Sequence, residues 1–242
     1  MQERLDNTKH RTLKVMTHPA REFGDFAGMI GAVPREFSRL LTHFPLLFRK
    51  DRETGQFEAG ALMGFTNDEN LFIKGRAWDA THLPLEVLRR PFQLQMTGIE
   101  DGKHQLVIMF DPDHPRFGKV EGERLFDEDG GPTPYLLKVQ WALGQLAEGL
   151  AESAAFCAKL VELKLIESLR LDITFANGEE TKLQGLYGVN EECLRSLSPA
   201  TLAELRDLGY LEWIYYHKAS LSQLQPLAER KNRLNALSRG PR

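Results

Sequence analysis

The sequence predicts an α+β fold, a mixed and mainly antiparallel sheet packed on one long helix, with a C-terminal β-hairpin and short helices. Three observations predict it. Short apolar runs broken by turn residues fill the stretch from Leu46 to Phe110. Between Tyr135 and Leu163 the residues Val139, Leu143, Leu146, Leu150, Cys157 and Leu160 recur at helical spacing, and Lys138, Gln145, Glu152 and Lys159 repeat on another face. Leu171 to Phe175 then alternates strictly ahead of Asn177-Gly178, a dipeptide that turns hairpins.

In chain order, residues 1–27 read as a weakly ordered arm. A short helical turn is expected over Pro34 to Leu41, and Pro45 forbids its continuation. Leu46 to Arg49 and Phe57 to Phe65 form a hairpin around Asp51 to Gly55, and Asn70 to Ile73, Phe92 to Gly98 and His104 to Phe110 add short strands. Glu100-Asp101-Gly102 is a turn, and Leu83 to Arg90 a short helix. Asp111 to Pro134 is loop. The helix that follows spans about 45 Å at 1.5 Å per residue and is expected as a spine for the β-rich half, with a coiled-coil dimer as the competing reading. In the hairpin after it, a two-residue turn sets Ile173 opposite Lys182, whereas a longer loop sets Ile173 opposite Leu183 and keeps the apolar face intact; the longer loop is expected. Ser198-Pro199 starts a helix that Gly209 ends, Leu211, Trp213, Tyr215 and His217 alternate as a strand, and a last helix restarts near Pro226. The organisation is therefore an arm (1–27), a β-rich half (28–133), a helix with a C-terminal α+β half continuous with it (134–229), and a basic tail (230–242).

The 242 residues suffice for a stable core, and a formal net charge of -3 gives no global attraction to nucleic acid or anionic lipid. The two cysteines, Cys157 and Cys193, lack the spacing of a disulfide framework or a zinc site. The polar opening MQERLDNTKHRTLKV lacks the apolar core of a secretory signal, and the apolar stretch Tyr135 to Leu163 carries too many charges to span a membrane. A cytoplasmic location is expected.

The sequence contains no GxGxxG turn, P-loop lysine motif, GxSxG elbow or HExxH helix, so no cofactor is expected. None of its seven histidines has an acid two residues later, as many iron oxygenases require. Asp111, Asp113 and His114 are weak metal candidates, better explained as a turn in which Asp caps backbone N–H groups. The acidic loop Asp127 to Gly131 reads as a solvated turn and lacks the later ligands of a calcium loop. His43 and His217 are weak acid/base candidates because imidazole titrates near neutrality, but neither has an identifiable orienting acid. The densest polar and aromatic connection is NLFIKGRAWDATHLPLEVLRRPF, residues 70–92. Its Asn70, Trp78, Arg89 and Arg90 are the ligand-binding candidates, since an indole offers a broad apolar face and a guanidinium forks onto carboxylate. The alternative has Trp78 filling the core and the arginines pairing with Asp79 and Glu86.

The blocks HFPLLF, ALMGFTNDENLFIKGRAWDATHLPLEVLRRPF, LFDEDGGPT, LQGLYGVNEECLRSL and YLEWIYYHKASLSQL, in this order and spacing, resemble the SapC family of bacterial proteins over about Pro34 to Leu227. The resemblance implies a surface-layer role by name. It also implies an accessory role in uptake or modification of peptides or aromatic compounds, because relatives are encoded near TonB-dependent receptors, tryptophan halogenase-like proteins and cupin-like oxygenase homologues. The family supplies no catalytic residues, so the matching positions His43, Asn70, Gly75, Trp78, Arg89, Asp127 and His217 stand as candidates. The expectation is a non-enzymatic binding or accessory protein for a peptide, an aromatic small molecule or a partner such as a halogenase-like enzyme. The alternatives are an enzyme using His43 or His217, and a surface-layer-associated protein.

Overall fold

Turn residues between apolar runs set an antiparallel scaffold, seen in a computed structural model that describes residues 1–100 and 103–238. The chain divides into two interleaved units. The first takes Met1–Asp25, Ile73–Asp79 and Leu83–Glu148, and the second takes Phe26–Phe72, Ala80–His82 and Gly149–Arg242. Neither unit ends at residue 133. The 29-residue helix Pro134–Glu162 lies where the heptad-like spacing placed it, and residues 134–148 and 149–162 of it belong to different units.

In the first unit, strands Gln93–Glu100 and Lys103–Phe110 pair antiparallel, with a bulge between Met96 and Gly98. Of the turn expected at Glu100-Asp101-Gly102, Asp101 and Gly102 lie outside the described residues. Glu3–Arg4 adds to the far edge of Lys103–Phe110, with Glu3 opposite Phe110. Lys14–Val15 is the middle strand of a second small sheet, between Phe117–Gly118 and Glu123–Arg124. The opening residues are thus built into the unit and do not form a weakly ordered arm. Their polar composition hid the few apolar positions that matter: Val15 is fully buried, and Leu5 and Leu13 pack on the same core. That core also holds Phe92, Phe110, Leu125 and the inward residues Leu136, Val139 and Leu143 of the helix, at three- and four-residue spacing.

In the second unit, five antiparallel strands lie in the order Ile166–Thr174, Glu180–Val189, Leu46–Lys50, Phe57–Leu62 and Met29–Gly31. The expected hairpin is its first pair, but its register is neither of those predicted. Ile173 lies opposite Thr181 and Leu171 opposite Leu183, with a shift between Leu169 and Leu171. The one extra residue falls at Gln184-Gly185, which together oppose Arg170, and Gly185 takes φ 73, a left-handed conformation suited to glycine in a bulge. Beyond the hairpin the chain is helical to its described end. The strand expected over Leu211 to His217 is instead the helix Tyr210–Ser220. Its buried residues Ile214, His217 and Ser220 recur every three positions, which the alternation of large side chains masked. Gly209, at φ 76, ends the preceding helix and admits the next.

The last helix, Leu224–Ser238, places Pro226 in its first turn, where a missing N–H costs little. Most of the expected basic tail is therefore helix. Arg230 lies over the Phe72 ring at 4.4 Å and Lys231 bonds Glu69 at 2.6 Å, while residues 239–242 lie outside the described residues. Among the described residues no helix is long and apolar enough to cross a membrane.

One close crossing in the second unit admits only glycine. A Cβ on Gly28 would lie 2.0 Å from the Thr66 carbonyl oxygen, while the Gly28 oxygen accepts from Met63 N–H at 2.7 Å and Gly64 N–H at 3.1 Å. Gly28→Ala is expected to destabilise the protein by about 3 kcal/mol, since the obstacle is backbone and cannot swing aside, and urea unfolding midpoints will measure it.

Candidate functional site

Within the first unit the connection from Ile73 onward builds one wall of a cleft. Ile73–Lys74 pairs with Ala77–Trp78, and the turn between them puts Gly75 at φ 58 and Arg76 at the tip. One helical turn, Leu85–Leu88, follows and buries Leu85. Arg90 comes after it, with Nη1 donating to the Gly24 carbonyl at 2.8 Å. The opposite wall is the start of the long helix, where Tyr135 and Lys138 lie three residues apart on one face. The cleft encloses about 590 Å³, with Trp78, Leu83, Val87 and Tyr135 as its apolar surface. Its volume is within the range of small-molecule pockets.

The third wall is the segment from Met16 to Asp25, and a buried ion pair holds it. Arg116 Nη2 donates to both Asp25 carboxylate oxygens at 2.5 Å, and both residues are almost fully buried. Arg116 Nη1 donates to the Met16 carbonyl at 2.8 Å, its guanidinium lies 4.7 Å from the Phe23 ring centre, and Asp25 Oδ2 accepts from Ala20 N–H at 2.9 Å. The pair thereby fastens both ends of the segment. Arg90 Nη1 is 3.9 Å from Asp25, too far for a hydrogen bond. Burial lowers the Arg90 pKa from its usual value, and burial pushes the Tyr135 hydroxyl up to about 12, so Tyr135 presents a neutral phenol.

A larger cleft of about 740 Å³ lies in the second unit, bordered by Arg49, Arg52 and Gly185. It holds none of the ligand-binding candidates, and Arg49 is engaged by Glu58 at 3.1 Å. The Trp78 cleft is the better candidate because a large indole, a half-buried guanidinium and a phenol converge there.

Residues 5–227 match the family SapC. The chain belongs to the SapC family. No curated protein and no solved structure matches it. In this SapC-family chain, Trp78 and Arg90 line one cleft, and the other candidates do different work. Arg89 is committed to Glu86 through Nε at 2.8 Å and Nη2 at 2.5 Å, and to the Phe92 carbonyl at 2.8 Å. The pairing of arginine with Glu86 thus describes Arg89 and not Arg90, while Asp79 pairs with Lys74 at 2.7 Å. Asn70 belongs to the second unit, where its buried side chain accepts from Phe72 N–H at 3.0 Å and shapes a turn in place of the expected strand start.

Neither histidine candidate lines either of these two clefts. His43 Nε2 bonds the Thr81 hydroxyl at 2.6 Å. His217 is 1% exposed, stacks on Phe48 with ring centres 4.7 Å apart, and its two ring nitrogens have no hydrogen-bond partner among the described residues. Asp111 caps its own turn, accepting from Asp113 N–H at 3.3 Å, and His114 Nδ1 accepts from Arg116 N–H at 3.2 Å. Among the described residues no group of three or more His, Cys, Asp or Glu is placed to hold a metal. Asp127 likewise caps Asp129 and Gly131.

Reading the sequence missed His18, Asp25, Arg76, Arg116, Tyr135 and Lys138. Arg76 was the most visible, two residues before Trp78 at a hairpin tip. Asp25 and His18 lay in the segment taken for an arm.

Two expectations follow. Asp25→Ala leaves the Arg116 charge buried and unpaired and should cost about 3–5 kcal/mol in urea unfolding, whereas Asp25→Leu with Arg116→Met should cost less than the single change. Burial lowers the His217 pKa from 6.5 to about 3. As pH falls the unfolded chain therefore takes up this proton first, and stability drops between about pH 6.5 and pH 3. His217→Leu should flatten that slope when unfolding free energies at pH 7.5 and 4.5 are compared.

Proposed function

We propose that this protein is a non-enzymatic binding or accessory protein whose first unit receives a peptide or aromatic ligand, free or carried by a partner enzyme, in the Trp78 and Arg90 cleft. The observation that carries this reading is the convergence of an aromatic wall and cationic side chains on one cavity. The indole and phenol supply broad apolar area at little conformational cost, and the guanidinium supplies directed donors. The rigidity of the site supports the same reading. Trp78 sits on a paired strand, Tyr135 on a long helix, and the third wall is fixed by Arg116 and Asp25, so little ordering is left to oppose binding.

Acid–base catalysis by the histidine candidates has less support. His217 is sealed in the second unit's core, and the His43 ring is engaged by Thr81. Calorimetric titration with tryptophan- and phenylalanine-containing dipeptides tests the proposal. Trp78→Ala should abolish binding in a folded protein, while His43→Ala leaves it intact. A product that forms with the native protein and is lost on His43→Ala would favour an enzyme.

A further inference from the structure

Four cationic side chains, Arg76, Arg90, Arg116 and Lys138, share the cleft with two acids, Asp25 and Glu123, which leaves two net positive charges. The acids do not divide evenly. Both oxygens of Asp25 are taken by Arg116, and one also by the Ala20 N–H. Arg90 therefore keeps only a carbonyl as direct partner, and its pKa reflects a guanidinium withdrawn from water. Arg76 and Lys138 form no ion pair with an acid among the described residues. Among the described residues Arg76 and Lys138 thus have no acid in direct contact, and Arg90 meets Asp25 only at 3.9 Å.

Arg76 is held in place by an unusual neighbour. Its Nη2 lies 3.0 Å from His18 Nε2. A guanidinium has no lone pair to offer, so His18 Nε2 must be the acceptor and the imidazole must be neutral, with its proton on Nδ1. His18 is accordingly a positioning residue. It orients the Arg76 fork without cancelling its charge, as a carboxylate in the same place would.

Cations left without acids beside an apolar wall define an amphipathic anion. Resting on the reading that this cleft is the recognition site, we infer that its ligand combines a flat apolar ring with a carboxylate. The ring lies against Trp78, Leu83, Val87 and Tyr135. The carboxylate is taken by Arg90 with Arg76 and Lys138, because a planar carboxylate meets a guanidinium fork with two parallel bonds. Arg89, the other arginine of the connection, plays no part.

N-acetyltryptophan and N-acetyltryptophanamide differ in this one charge and serve as the probe pair for calorimetry on the full chain. The carboxylate form should bind at least tenfold more tightly at low salt, the scale of a hydrogen bond to a charged group, and the gap should narrow in 0.5 M salt. In Arg76→Gln with Lys138→Gln, both at exposed positions, the gap should narrow by at least threefold, and an unchanged gap would overturn their part in holding the carboxylate. Equal affinities for acid and amide, both lost in Trp78→Ala, would overturn the carboxylate assignment and leave the cleft as the recognition site. Binding of neither compound would overturn both.

Discussion

The contact between Arg116 and Asp25 decides whether the first unit has a site at all. It joins residues 91 positions apart in sequence. Removing two charges from water is costly, and the cost is offset here by direct contact, by the carbonyl of Met16, by the Phe23 ring and by the Ala20 N–H. Such an arrangement contributes geometry more than stability. It draws the segment from Met16 to Asp25 into a fixed wall, brings the Gly24 carbonyl to Arg90, and leaves Arg90 without a carboxylate of its own. The charge excess of the cleft is thus a by-product of how the wall is fastened.

The sequence was most legible where a period is long and strict. The helix Pro134–Glu162 was read nearly residue for residue, and the β-hairpin that follows in its existence but not its register, because side-chain spacing reflects burial directly. Legibility failed where one pattern admits two periods. Leu211, Trp213, Tyr215 and His217 alternate, yet burial falls on Ile214, His217 and Ser220. The hairpin register failed for a different reason. The turn is tighter than either expected loop, Phe175 N–H bonding the Glu179 carbonyl at 2.8 Å, and the bulge at Gly185 shifts the pairing again beyond Leu183; a pattern of apolar positions shows neither conformation.

For the site, the sequence was half legible. Trp78 and Arg90 stood out as costly residues in a short connection, and both line the cleft. Choosing between Arg89 and Arg90 was out of reach, because adjacent residues at the end of one helical turn point in different directions, one back to Glu86 and one across to Gly24. The partners Asp25 and His18 were invisible for a deeper reason. A segment rich in polar residues looks disordered until the single buried contact that anchors it is known.

The interleaving of the two units constrains how the chain acquires its shape. No single cut isolates either unit, since each is stitched from three stretches. Lys231 and Arg230 close over Glu69 and Phe72, residues made some 160 positions earlier. During synthesis the face of the Phe72 ring that Arg230 covers therefore waits until the final helix has left the ribosome. The interval before that helix emerges is when a chaperone has something to hold.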